Sequence, residues 1–304
     1  MVQPQANTIL NRRQTRWKRV LPYAYISPTV FLLVLLMLVP IAMVIGYSFL
    51  DNVIVTQESK FVGISNYVTL LSDGIYWEAV VHTCAFTAAS VAAHMVISIL
   101  FALMLNSKLL GKAGKAVFRV IYILPWVFTI AVVAIVWKLL LNPNGIVNYL
   151  LASAGWIEKP VEWLASRNTA MFSVMLINIW CGYPFYMVSI LAGLQGIAVE
   201  LYEAATVDGA SGFQKFFRIT LPQLKSIIVS MAMMDIIWTA QQFGLIWMTT
   251  GGGPVRATEM VSTYTYKLAF TKYQFSIASA SAVILLLASM CLSMVYVRTQ
   301  KARD

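Results

Sequence analysis

Six long apolar stretches constrain this chain more than any other feature of its sequence. A helix needs about 20 apolar residues to cross the hydrocarbon core of a bilayer, and each stretch reaches that length. The stretches lack the alternation of membrane β-strands, and helices satisfy their own backbone hydrogen bonds in lipid. We therefore predict an all-α integral membrane bundle. Its six predicted spans are Ile26–Phe49, Val80–Leu105, Val117–Leu141, Met171–Leu194, Ile227–Thr249 and Ile277–Val297.

The composition supports lipid as the main solvent. The chain is 60% hydrophobic and 11% charged, whereas soluble domains are typically about 45–50% apolar and about 25% charged. A net charge of +10 could indicate nucleic-acid binding. However, the basic residues cluster in particular connections, and no basic face interleaved with aromatic residues accompanies them.

The distribution of basic residues predicts the orientation. Lysine and arginine concentrate before the first span, in the second and fourth connections and after the last span. Positive charge stays on the cytoplasmic side, so both termini are predicted to be cytoplasmic and the first span to be an uncleaved anchor. The predicted organisation is a basic segment over 1–21, a six-helix domain over 22–298 and a cytoplasmic tail over 299–304.

Several kinds of site are missing from the sequence. No phosphate-binding loop occurs, since the nearest segment, Gly111–Lys115, has the wrong spacing. No hydrolase or zinc-protease motif appears, and the three cysteines are widely spaced within apolar stretches. We predict no catalytic residue, no metal site and no cofactor bound by this chain. A membrane enzyme is therefore the weaker hypothesis.

The fourth connection has a pattern of its own. Its residues up to Asp208 favour a short helix, and Gly209 suits the left-handed position that ends one. Phe213 then begins an apolar face at helical spacing. Pro222 predicts a new break before the fifth span. The segment should form a helix, a turn and a second helix on the cytoplasmic face.

The same connection, about 200–222, resembles the EAA loop of permease subunits of binding-protein-dependent ABC importers. The family pattern of E-A-A, G, I and L-P is matched at every position by Glu203, Ala204, Ala205, Gly209, Ile219, Leu221 and Pro222. In that family the loop docks on the ATPase. The resemblance thus implies an ATPase-coupling role for Glu203, Ala204, Ala205, Asp208, Gly209, Phe213, Ile219, Leu221 and Pro222. An amphipathic loop resting on lipid headgroups is the alternative.

Other segments narrow the resemblance to sugar-importer permeases of the maltose and glycerol-3-phosphate type, in a compact six-span form. These segments are residues 61–67, 119–126, 142–148, 191–195 and 250–254. One departure is Phe243-Gly244, where many relatives have Phe-Asp. The resemblance therefore implies no polar contact with the pathway at Gly244.

The resemblance implies partners and a place in the cell. The partners would be a second homologous permease, two cytoplasmic ATPase subunits that bind ATP and magnesium, and an extracytoplasmic solute-binding protein. The expected location is the bacterial inner membrane. An outer turn, Gly251, Gly252, Gly253 and Pro254, is the expected contact with the binding protein. An ion-coupled secondary carrier remains the alternative, although such carriers usually place several ionisable residues in the bundle.

A polar face on the fifth span predicts the substrate pathway. Asp235, Trp238, Thr239 and Gln242 are spaced to share one helix face, and polar groups in lipid normally face a partner or a watered cavity. Asn178 and Tyr186 of the fourth span are predicted to join them. A polar contact between helices is the alternative.

The second span has a stripe of small and polar residues that favours helix packing. His94 lies in this stripe and is predicted to be neutral and hydrogen-bonded. No lysine or arginine lies mid-membrane, which favours a neutral glycoside, oligosaccharide or polyol. Glycerol-3-phosphate or another anionic sugar derivative stays open.

Overall fold

The computed structural model describes residues 21–51, 53–54, 59–107 and 111–301. The predicted basic N-terminal segment lies almost wholly outside the described residues, as do Lys108 and residues 302–304. In the described part the secondary structure is helical, apart from a single bridge between Leu50 and Phe61.

Twelve helices make up the described part of the chain. In chain order they are α1 (Leu21–Tyr47), α2 (Ser65–Leu71), α3 (Gly74–Asn106), α4 (Lys112–Val127), α5 (Ile130–Leu140), α6 (Ile146–Ser153), α7 (Ala170–Gln195), α8 (Val199–Val207), α9 (Gly212–Ala240), α10 (Gly244–Thr249), α11 (Val261–Phe270) and α12 (Phe275–Lys301).

Five helices of the described part, α1, α3, α7, α9 and α12, are long and apolar enough to cross a membrane. The bent pair α4 and α5 passes the same test and makes a sixth crossing if the pair is one span. The predicted all-α membrane bundle is therefore confirmed. The short helices α2, α6 and α11 were not predicted, because they lie in connections without a long apolar run.

The third predicted span, Val117–Leu141, was wrong as a continuous helix. The chain bends by 100° between α4 and α5. Phe128 and Thr129 have extended backbones at this point. Pro125 lies just before the bend and lacks a backbone N–H, which weakens the last turn of α4.

The fifth predicted span, Ile227–Thr249, was also wrong at both ends. The helix α9 begins at Gly212 and ends at Ala240, and α10 starts separately at Gly244. The predicted break at Pro222 does not occur. Instead, a π turn over Phe216–Thr220 precedes the proline, and the Leu221 N–H bonds to the Phe216 oxygen five residues back.

The centre of the bundle is the contact between α3 and α7. Phe86 and Ile177 are fully buried there, and the Ser98 hydroxyl donates to the Tyr183 carbonyl at 2.8 Å. Small polar residues let the two helices approach closely, and they let a side chain of one helix form a hydrogen bond with the backbone of the other. By contrast, α1 packs against α12 and leaves its apolar side chains exposed, as expected of a helix surrounded by lipid or another membrane subunit.

The connection after α5 is organised by Asn148, which is 3% exposed. Its Nδ2 donates to the carbonyls of Asn142 and Val161 at 3.1 and 2.9 Å. Its Oδ1 accepts from the Val161 amide and the Trp163 indole, each at 3.1 Å. One amide side chain therefore satisfies backbone groups of two segments of the irregular connection, at Asn142 and at Val161.

Replacing Asn148 with leucine should destabilise this connection. The change leaves buried donors and acceptors without partners, so we expect a loss of about 3 kcal/mol in the free energy of unfolding. Thermal denaturation of the purified protein in detergent measures the effect. Asn144→Leu is the control, because the Asn144 side chain is exposed. Equal midpoints for the two variants would contradict the assigned role.

Candidate substrate pathway and coupling elements

A cavity of about 320 Å³ lies between α3, α4, α5, α7, α9 and α10. Its volume falls at the small end of the range typical of ligand sites. All six residues that the sequence placed on the pathway line it. The lining residues are His94, Pro125, Trp126, Phe128, Ile130, Val133, Asn178, Cys181, Gly182, Tyr186, Asp235, Trp238, Thr239, Gln242 and Leu245.

Asp235 is 1% exposed and fully engaged by neighbouring side chains. Its Oδ2 lies 2.8 Å from Nδ1 of His94, and its Oδ1 accepts from the Thr239 hydroxyl at 2.8 Å. The Tyr186 ring stacks on the His94 ring with centroids 5.4 Å apart. The acid is therefore part of a buried network and does not project freely into the cavity.

Asn178 and Gln242 form an amide pair at the same cavity. The Gln242 Nε2 donates to the Asn178 Oδ1 at 3.2 Å. The Asn178 Nδ2 is buried without a hydrogen-bond partner in the described part of the chain. Gln242 lies beyond the end of α9 at Ala240, so the break in the predicted span turns its amide toward α7. Such a pair can both donate to and accept from a hydroxylated ligand.

Aromatic side chains form another part of the cavity wall. Trp126 and Trp238 both contact Phe185, with ring centroids 5.8 and 5.6 Å from it. Both indoles are more than half exposed, at 55% and 56%. They therefore present apolar faces next to the amide pair, the combination that binds the C–H face and the hydroxyls of a sugar ring.

Gly182 makes room for the His94 ring. A Cβ atom at this position would lie 2.4 Å from the His94 Nε2 and 2.6 Å from its Cε1. Real carbon atoms do not approach ring atoms so closely. The glycine on α7 is therefore what allows the histidine of α3 to lie between the two helices.

The connection between α7 and α9 has the predicted shape. The helix α8 ends at Val207, and Gly209 follows with a φ of +75°. A capping box of Ser211 and Gln214 then starts α9. Among the predicted coupling residues, Glu203, Ala204, Asp208, Gly209, Phe213 and Pro222 are exposed, whereas Ala205, Ile219 and Leu221 are half-buried.

Two contacts close this helix–turn–helix on itself. The Tyr202 hydroxyl lies 2.9 Å from the Thr220 hydroxyl, and Lys215 Nζ donates to the Thr206 hydroxyl at 2.8 Å. Phe213 is 73% exposed, and its ring lies next to that of Phe217 with centroids 4.5 Å apart and planes tilted by 46°. The segment is thus internally held yet presents an apolar surface at its tip.

The glycine-rich turn Gly251–Pro254 follows α10. Gly251 and Gly252 have φ values of +62° and +86°. A Cβ on Gly252 would lie 2.9 Å from Lys267 Nζ, which pairs with Glu259 at 2.8 Å.

Asp73 is the residue just before α3, and burial alone would raise the pKa of its carboxyl group. The Tyr264 hydroxyl and the Ile75 amide, however, donate to its carboxylate and hold the pKa below its usual value.

Comparison with known proteins decides the family. Residues 94–303 match the family described as "Binding-protein-dependent transport system inner membrane component". The chain belongs to this family. The resemblance read from the EAA pattern is therefore confirmed.

Relatives agree along almost the whole chain. The trehalose/maltose transport system permease protein MalF of Thermococcus litoralis is 32% identical over 287 residues, which cover 93% of this chain and 94% of that protein. The probable ABC transporter permease protein YurN of Bacillus subtilis is 31% identical over 281 residues, which cover 92% of this chain and 96% of that protein.

A solved structure shares the fold. It is a crystal structure of a bacterial ABC transporter involved in the import of the acidic polysaccharide alginate, with a TM-score of 0.80 and 26% identity, covering 94% of this chain and 99% of that one. The chain is thus a sugar-type permease of an ABC importer and a multi-pass inner-membrane protein. Family members are transport components, so it is not an enzyme.

Sequence reasoning missed two features of the cavity. His94 was assigned to helix packing, yet it contacts Asp235, the one acid among the described residues of the cavity wall. The signal was present, because an ionisable residue inside a membrane needs a partner, and a histidine of the second span was available. Trp126 was not proposed for the pathway. The bend that brings α4 to the cavity lies inside a continuous apolar stretch of the sequence, so the hydrophobic pattern does not indicate it.

Proposed function

We propose that this chain forms half of the translocation pathway for a carbohydrate and couples it to ATP hydrolysis by a separate ATPase subunit. The supporting observation is the cavity in which the Asn178–Gln242 amide pair lies beside two exposed indoles. In this proposal Asp235, Trp238, Thr239, Gln242, Asn178 and Tyr186 line the substrate path.

The cavity favours an uncharged substrate. Among its described lining residues there is no lysine or arginine to pair with a phosphate or carboxylate. A di- or oligosaccharide, glycoside or polyol is therefore the first candidate, in line with the trehalose/maltose relative. An anionic sugar derivative is the second, and the relative that imports acidic alginate supports it. A second permease would then supply the cationic groups.

The assembly we propose has a second homologous permease, two cytoplasmic ATPase subunits that bind ATP and magnesium, and an extracytoplasmic binding protein. The exposed tip around Gly209 and Phe213 is its proposed ATPase contact. Gly251–Pro254 is the proposed contact with the binding protein. Both termini are then cytoplasmic, with residues 1–21 and 299–304 flanking a transmembrane domain over 22–298.

Removing the Trp238 indole should weaken the apparent affinity for the sugar. The loss of an aromatic contact of about 1.4 kcal/mol corresponds to an about tenfold higher half-saturating concentration for Trp238→Ala. Uptake by proteoliposomes that contain the whole complex measures this value for each sugar in a panel.

The control is Trp156→Ala, because Trp156 is 79% exposed and lies outside the cavity. Its half-saturating concentration should equal that of the wild type. An equal shift in both variants would reject this cavity as the sugar path. Uptake that depends on a proton or sodium gradient and does not depend on ATP would favour a secondary carrier.

A further inference from the structure

His94 connects three membrane helices through its ring. Its Nδ1 lies 2.8 Å from the Asp235 Oδ2 on α9, and its Nε2 lies 3.1 Å from the Asn178 carbonyl oxygen on α7. The residue itself belongs to α3 and is 2% exposed. Both ring nitrogens therefore face oxygen atoms, and almost none of the side chain is exposed.

The protons of this pair can be counted from its partners. A carbonyl oxygen only accepts, so Nε2 must carry a proton. Nδ1 then either carries a second proton and faces an ionised Asp235, or accepts a proton from the carboxylic acid form of Asp235. Both arrangements hold two protons and have no net charge. A neutral histidine beside an ionised aspartate would instead set two lone pairs against each other.

The surroundings favour the same proton count. The other ionisable groups of the described residues that line the cavity are Tyr186 and Cys181 of α7, a phenol and a thiol that are ordinarily uncharged at neutral pH. Neither α4 nor α5 contributes an ionisable side chain to this wall. An extra negative charge on the pair would therefore have no cation to balance it inside the membrane, where unpaired charges are costly.

We infer that His94 is a positioning residue for transport, and that it shares two protons with Asp235 in a pair without net charge. The helix α9 runs without interruption from the cytoplasmic turn to Asp235. The pair therefore holds the part of α9 at the cavity against α3 and α7. Its transport role rests on the proposed function, whereas its protonation does not.

Spectroscopy tests the proton count without any sugar. The chain has two histidines, so ¹⁵N labelling of this chain in a His82→Gln background leaves the His94 signal alone. We expect protons on both ring nitrogens, or a single proton on Nε2 together with an infrared band of a carboxylic acid that Asp235→Asn removes. A neutral His94 beside an ionised Asp235 would overturn the inference.

Uptake tests the positioning role. His94→Leu leaves a buried aspartate unpaired and should lower uptake by about a hundredfold. The double variant His94→Leu/Asp235→Asn removes the unpaired acid. Because Asp235 also lines the proposed substrate path, Asp235→Asn alone is the reference, and the double variant should transport as well as that reference. Normal uptake by His94→Leu, or a double variant as far below Asp235→Asn as His94→Leu is below the wild type, would overturn the role. If the wild-type complex transports no sugar, the proposed function fails while the spectroscopic result still decides the proton count.

Discussion

Replacing Gly209 with valine should abolish coupled transport while leaving the chain in the membrane. Gly209 has a φ of +75°, a backbone conformation that a β-branched residue adopts only at a cost of about 1–3 kcal/mol. Nothing lies within 4 Å of a Cβ at this position, so the strain is in the backbone and not in a clash. The turn between α8 and α9 should therefore change shape, and the exposed tip with it.

Two control variants separate the backbone requirement from the loss of a glycine. Gly209→Asn should retain most transport, since asparagine tolerates the left-handed region. Gly212→Ala should behave like the wild type, because Gly212 has neither a positive φ nor a neighbour within 4 Å of its Cβ. Uptake and co-purification of the ATPase subunit are measured together. Wild-type uptake by Gly209→Val would contradict the coupling role.

Gly182→Ala should destabilise the membrane bundle and abolish uptake. The new Cβ would lie 2.4 Å from the His94 Nε2, and that ring is held by hydrogen bonds on both sides. The ring would have to leave its place, which combines overpacking with a broken buried pair. We expect a cost of about 3–5 kcal/mol in the free energy of unfolding.

Gly193→Ala is the matched control for this variant. Its Cβ would also meet side-chain atoms closely, Cδ1 of Ile227 at 2.4 Å and Cδ2 of the buried Leu224 at 2.9 Å. Both atoms are the ends of flexible aliphatic side chains that no hydrogen bond holds, so they can move aside. The cost should be about 1 kcal/mol. Thermal denaturation in detergent and uptake compare the two. A Gly182→Ala midpoint equal to or above that of Gly193→Ala would show that the His94 network is dispensable.

The sequence predicted the helices that are single apolar runs. The helices α1, α3, α7 and α12 follow their predicted spans closely, because length and apolarity alone decide a crossing. The bend after Val127 and the break after Ala240 were not predicted. Both lie inside apolar stretches, and composition does not show which way the next segment turns.

The features of the coupling segment that were predicted correctly are those set by a residue's own backbone preference. Gly209 ends α8 in the left-handed conformation expected of it. Pro222 was misjudged, because a π turn before it lets the helix continue. The polar face of α9 was predicted by helical spacing, whereas the His94–Asp235 contact joins residues 141 positions apart and required the packing of three helices.

The central claim is that this chain carries sugar in a complex driven by ATP. The most direct test is uptake together with ATP hydrolysis in proteoliposomes that hold the whole complex, its binding protein and a panel of glycosides, polyols and glycerol-3-phosphate. We expect one solute with its binding protein to stimulate both activities, and Gly209→Val to lose both. ATP-independent uptake by this chain alone would contradict the account.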